Sequence, residues 1–272
     1  MKTAIVVSVS KTAFEALASA ADVRGAFRMA GDLGFDAVEI AVRDPALVAA
    51  PEIERLAREY GIEIAAIGTG QAYVDEGLSL TSRDRGTRER AVRRMKDQLL
   101  LGKELKARVI VGLIRGTAEK ADVEAALERL RESLADLGEY AGAIGSPGLL
   151  LEPINRYETR LLNSVEETLT FLEPLGGLPV KILADVFHMN IEDRDPPEAL
   201  RRCGARLGHV HFADSNRWAP GQGHIDFQPL FDSLAAIGYQ GFLSAEILPL
   251  PTPEEAFRLT SDFFKKMCGD RR

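Results

Sequence analysis

Residues 149–159 read LLLEPINRYET. An uninterrupted apolar run that stops at Glu152, with Pro153 immediately after it, is how a strand buried on both faces looks when it delivers one charged side chain to the rim of a barrel. Three later stretches repeat the pattern: 180–190 (VKILADVFHMN) delivers Asp185, 207–217 (LGHVHFADSNR) delivers His211, and 241–251 (GFLSAEILPLP) delivers Glu246. One buried glutamate is usually a paired structural group. Successive strand ends that each carry a ligand-type residue are different, because every one would bear its own desolvation cost unless something divalent neutralised the set. Glu152, Asp185, His211 and Glu246 are therefore assigned as metal ligands.

Working outward from these strands, the rest of the chain alternates in the same way. Strand candidates fall at 3–9, 35–40, 62–70, 108–114, 148–152, 181–185, 207–212 and 241–247. Helical periodicity or capping residues lie between them, at 23–34, 45–60, 84–105, 123–138, 165–175, from 197, 227–237 and from 253. Ser164 and Asp226 sit where helix N-caps belong, and Gly34 and Gly61 where left-handed C-caps belong. Strands and helices alternating at roughly 34 residues per repeat predict an α/β fold, a single (β/α)8 TIM barrel over residues 1–272 with no linker dividing it. The longer segment at 71–82 is a candidate lid.

Composition narrows the function classes. The chain has 272 residues, 46% hydrophobic and 28% charged, with a formal net charge of −7. Arginine and lysine are interspersed with acids, as in RDRGTRERAVRRMKDQ, which argues against a nucleic-acid partner. No apolar run approaches the roughly 20 residues of a membrane span, and MKTAIVVSVS reads as a first strand rather than a leader. Cys203 and Cys268 lie far apart and outside any CxxC spacing, so reduced thiols and a cytoplasmic location are expected.

Barrel active sites lie at the C-terminal ends of the strands. Three carboxylates and one imidazole there form a hard, oxygen-rich set suited to Mn²⁺ first, with Mg²⁺ or Co²⁺ as alternatives. Such an ion can be chelated by a ketose through its carbonyl and a neighbouring hydroxyl, and it stabilises an enediolate once the adjacent C–H proton is removed. Two glutamates from strands on different sides of the ion can face opposite sides of one carbon, which is what an epimerase requires.

Longer motifs extend this picture. ExxNRYET (152–159), ADVFHMNIE (184–192), HVHFADSNRWAPGQGHIDF (209–227), AVEIAVRDP (37–45), AIGTGQAY (66–73) and VGLIRG (111–116) together resemble the ketose 3-epimerases of the xylose-isomerase-like barrel superfamily. In that combination they are most similar to members that interconvert 5-keto-L-gluconate and D-tagaturonate. The resemblance implies Glu152 and Glu246 as the acid/base pair, and Glu158, His188 and Arg217 as contacts to substrate oxygens. It implies a small keto sugar or keto sugar acid as partner, with a homo-oligomer left open. A ketohexose 3-epimerase of the D-tagatose/D-psicose type and a hydroxypyruvate-type aldose–ketose isomerase are the alternatives. Abasic-site nuclease chemistry would need more than four histidines, and a non-catalytic sugar-binding barrel would not need both glutamates.

Further expectations concern the surroundings. Arg43 and Arg115, just past strands two and four, are candidates to hold a substrate carboxylate, or else to pair with Asp44 and Glu39. His209 is expected on the opposite side of strand seven from His211, against the helices, and Asp214 as a residue that orients His211 or its own loop. The GQG at 221–223 reads as a tight loop.

Overall fold

A computed structural model of the chain describes residues 1–20 and 22–269. Eight parallel strands form the wall: β1 (Lys2–Ser8), β2 (Ala37–Ala41), β3 (Glu63–Gly68), β4 (Arg108–Val111), β5 (Leu149–Leu151), β6 (Val180–Asp185), β7 (Leu207–His211) and β8 (Phe242–Ala245). Each pairs with the next, and β8 pairs back onto β1 with Lys2 opposite Phe242 and Ile5 opposite Ala245, which closes the barrel. A two-residue strand, Ser19–Ala20, adds to β1. Around the wall lie α1 (Val23–Leu33), α2 (Ala50–Tyr60), α3 (Arg85–Leu105), α4 (Val123–Ile144), α5 (Val165–Leu172), α6 (Pro196–Cys203), α7 (Gln228–Ala236) and α8 (Pro253–Cys268).

The strands are apolar throughout because both faces are covered. On β1, Ile5 and Val7 face the helices, whereas Ala4 and Val6 face the lumen. The lumen is filled by small and branched residues, with Ala4, Ala37 and Ala65 in one group and Ala66, Ile110, Leu150 and Leu183 in another. This packed floor leaves the C-terminal rim for polar side chains.

Capping follows the sequence closely. Ser164 makes a full capping box with Glu167 at α5, and Asp226 accepts from the Gln228 amide at α7. Departures from expectation have local causes. The fourth strand ends at Val111, because Gly112 leaves the extended region and the chain turns into a 3₁₀ turn at Leu113–Arg115. The helix expected at 45–60 divides into a 3₁₀ turn, Pro45–Leu47, and α2. α4 runs through Gly138 to Ile144, since that glycine admits close packing, with a Cβ there lying 3.0 Å from Leu178. The segment at 71–82 is no lid: it holds a short helix, Gly70–Glu76, and then docks, with the Leu80 amide donating to Ile114 O at 3.0 Å and Thr81 Oγ1 to Arg115 O at 2.6 Å. Leu78 and Leu80 are buried beneath it. Among the described residues no disulfide joins Cys203 and Cys268, and no helix is long and apolar enough to cross a membrane.

Candidate metal centre

Each of the strands β5 to β8 ends in, or just before, one member of a cluster. Glu152 follows β5, Asp185 closes β6, His211 closes β7 and Glu246 follows β8. The register sets Asp185 beside His211, and His211 beside Ser244, two residues before Glu246. Asp185 also begins the short helix Val186–Glu192, accepting from the Phe187 amide at 2.8 Å through Oδ1 and leaving Oδ2 for the cluster.

One ligand atom from each of Glu152, Asp185, His211 and Glu246 lies within 4.8 Å of all the others. His211 Nδ1 is 3.7 Å from Glu152 Oε1, 3.8 Å from Asp185 Oδ2 and 4.0 Å from Glu246 Oε2. Glu152 Oε1, Asp185 Oδ2 and His211 Nδ1 are buried and have no hydrogen-bond partner. An unpartnered buried polar atom costs about 1–3 kcal/mol, more when charged. Convergent acceptors around one point therefore fit a cation at that point, and their oxygen-rich chemistry fits a hard divalent ion.

The electrostatics agree. Burial pushes the Glu246 carboxyl up to about 8, with Glu152 and Asp185 adding to the rise and His211 and Arg217 opposing it. Asp185 is equally buried, yet His188 and His211 outweigh burial and hold it at about 2. A divalent cation would lower the carboxyl values further.

Around the cluster stand the three residues expected to touch substrate oxygens. Arg217 is in a left-handed conformation (φ 60°), stacks over Phe187 at 5.0 Å, and donates to Glu246 Oε2 at 2.7 Å and Glu158 Oε1 at 3.3 Å. His188 is buried, with Nε2 3.7 Å from Asp185 Oδ2. Asn155 is a residue that sequence reasoning misses, although it lies inside the ExxNRYET motif. Its amide donates to Glu158 Oε1 at 2.9 Å and to His188 Nδ1 at 2.8 Å. That second bond makes Nδ1 an acceptor, so the Nε2–H of a neutral His188 points at the cluster.

Several expectations are corrected. His209 and His211 are two residues apart on one strand and so share a face. Both point into the lumen, where His209 Nε2 meets Glu39 Oε2 at 2.8 Å and His211 Nε2 meets both Glu39 oxygens at 3.1 Å. Burial alone would raise the Glu39 carboxyl, but His211 and His209 hold it well below the usual range. Glu39 thus pairs with histidines and not with Arg43 or Arg115. Arg43 lies instead near Asp75 and Glu76, at 3.7 and 3.6 Å. Arg115 is fully buried and donates to the backbone carbonyls of Gly112, Leu161 and Leu162, tying down the loop that carries Glu158. Burial lowers its pKa to about 10. Asp214 orients its own loop rather than His211, accepting from the amides of Ser215, Gly221 and Ile225. The GQG turn is tight, since a Cβ on Gly223 would sit 2.2 Å from Asp214 Oδ1.

Above the cluster opens a cleft walled by Val6, Phe14, Leu113 and Ile154 and by the polar Thr69 and Gln71. Gln71 is itself buried and held by Ser8, whose Oγ accepts from its amide at 2.7 Å.

A family model described as the xylose isomerase-like TIM barrel matches residues 27–267. An L-ribulose 3-epimerase of Mesorhizobium japonicum is 32% identical over 246 residues, spanning 88% of this chain and 80% of the relative. A D-psicose 3-epimerase of Enterocloster bolteae is 34% identical over 221 residues, spanning 77% and 71%. The crystal structure of the Clostridium cellulolyticum D-psicose 3-epimerase with D-tagatose superposes with a TM-score of 0.82 at 25% identity, covering 98% of this chain and 99% of that one. With a closed parallel barrel, a carboxylate–imidazole cluster at its rim and relatives of that coverage, the chain belongs to the ketose 3-epimerase family of xylose isomerase-like TIM barrels.

Proposed function

We propose that the protein is a divalent-metal-dependent epimerase that inverts the carbon next to the ketone of a keto sugar. The observation that carries this reading is the convergence of buried, partnerless Glu152 Oε1, Asp185 Oδ2 and His211 Nδ1 beneath a cleft at the barrel rim. Glu152, Asp185, His211 and Glu246 hold the ion, which when bound polarises the substrate carbonyl and stabilises negative charge on its oxygens. Glu152 and Glu246, arriving from β5 and β8, act as the acid/base pair. One removes the C3 proton to leave an enediolate, and the other returns a proton to the opposite face. Arg217 steadies Glu246 and, with Glu158 and His188, hydrogen-bonds substrate hydroxyls. Asn155 keeps Glu158 and His188 aligned for this task.

The choice between substrate classes rests on what lines the cleft. Arg217 is its guanidinium, and it is already engaged by Glu246 and Glu158. Neither Arg115 nor Arg43 lines the cleft, and with both Arg217 Nη atoms engaged only its Nε is left there to meet a carboxylate. A neutral ketose of five or six carbons is therefore the substrate this cleft suits best. A keto sugar acid of the 5-keto-L-gluconate/D-tagaturonate kind is the second reading, supported by the combination of sequence motifs.

Both are tested in one experiment. NMR of D-tagatose, D-psicose, L-ribulose and D-tagaturonate in D₂O with Mn²⁺-loaded enzyme should place deuterium at C3 with inverted configuration. Label confined to C2 of an aldose would instead establish an isomerase. A kcat/KM at least tenfold higher for D-tagaturonate than for the neutral sugars would select the acid.

A further inference from the structure

Glu39 and His209 lie below the cluster and meet its His211 from the far side, and the proposed chemistry makes no use of these two residues. Around the closed wall, β2 is separated from β7 by β8 and β1, so the Glu39 side chain reaches across the lumen to both histidines. All three residues are at most 1% exposed. The imidazoles stand edge to face, with centroids 5.3 Å apart and planes at 81°.

A carboxylate can only accept hydrogen bonds. Two imidazole nitrogens that both meet the Glu39 carboxylate must therefore both donate to it. Donation from His211 Nε2 leaves Nδ1 of the neutral ring with a lone pair, and Nδ1 is the atom that is buried, partnerless and aimed at Glu152 and Asp185. We propose that Glu39 is a positioning residue for the metal centre: it sets the tautomer and ring orientation of His211, while His209, as second donor, keeps the Glu39 carboxylate in place. This inference rests on the proposed role of His211 as a ligand through Nδ1.

The same three residues also lie close enough to hold an ion of their own. Their facing atoms, however, already satisfy one another, whereas the rim cluster leaves three atoms without partners. A second ion would also need the His211 nitrogen that donates to Glu39.

The first test needs no variant. In Mg²⁺-loaded protein with ¹⁵N-labelled histidine, NMR should show His211 protonated at Nε2 and not at Nδ1; the opposite tautomer overturns the proposal. The second test uses Glu39→Gln, whose amide can donate as well as accept and so permits either tautomer. By calorimetry its Kd for Mn²⁺ should rise about tenfold to a hundredfold, the usual effect of losing such a carboxylate. In Mn²⁺-saturated enzyme, KM for the ketose should stay within about twofold of wild type. An unchanged Kd beside a lowered Tm would mean Glu39 is structural only, and a second equivalent of Mn²⁺ lost on Glu39→Gln would mean the trio is itself a metal site. Asp185→Asn provides the separate control. Wild type that takes up one Mn²⁺ and Asp185→Asn that takes up none establish the centre whatever Glu39 does.

Discussion

Single atoms decide much of this site. A Cβ on Gly112 would lie 2.6 Å from Glu152 Oε2, and the glycine's ψ of −118° lies outside the regions that L-residues favour. Gly112→Ala should therefore push Glu152 out of the cluster, weakening Mn²⁺ binding at least about tenfold by calorimetry, and should lower Tm as well. Asp193 makes a different prediction. Burial, with Glu192 and Glu167 nearby, raises its carboxyl to about 6, although Oδ1 accepts from the Val165 amide, and Oδ2 has no partner. An acid whose pKa is raised by folding is destabilising when charged. The penalty is absent below about pH 4, grows between pH 4 and 6, and is complete above. Asp193→Asn should thus stabilise the protein by about 1–2 kcal/mol at pH 7.5, allowing for its partial exposure, and by nothing at pH 4, as read from urea midpoints.

Among the elements, the βα loops were harder to read than the strands. The four strand ends that carry the cluster were legible because a parallel sheet, covered on both faces, has little use for a lone charge inside an apolar run except at its rim. The segment at 71–82 was not, because its length alone cannot say whether Leu78 and Leu80 find a surface to bury against. They do, under a backbone hydrogen bond to Ile114. At α5 the local code was complete, with Ser164 and Glu167 each bonding the other's backbone amide. Ser164→Ala should cost about 1 kcal/mol in chemical denaturation, without altering the metal Kd. A loss of metal affinity in that variant would mean that α5 transmits its end position to the rim, which nothing in its contacts suggests.

For the whole molecule, closure of β8 onto β1 makes the rim cluster dependent on the entire wall, since Glu152, Asp185, His211 and Glu246 come from four adjacent strands. An ion held only by the folded state stabilises it by mass action, about 2.7 kcal/mol at a hundred times Kd, so Mn²⁺ should raise Tm by about 5–10 °C. EDTA should reverse the rise, and Asp185→Asn should show none; equal melting curves with and without Mn²⁺ would remove the centre from the proposal. The sequence by itself determined the alternation of strands and helices, the carboxylate and imidazole residues at the strand ends and the caps, because these depend on neighbours within a few positions along the chain. Only the tertiary structure decided which partners the remaining charges take. Glu39 finds His209 and His211 about 170 positions away because the barrel curves β2 round to face β7, and Arg115 turns to backbone carbonyls near Leu161 because the next βα loop folds over it. Pairing between distant strands is set by closure of the sheet, and no local pattern encodes which side chains then meet across its lumen.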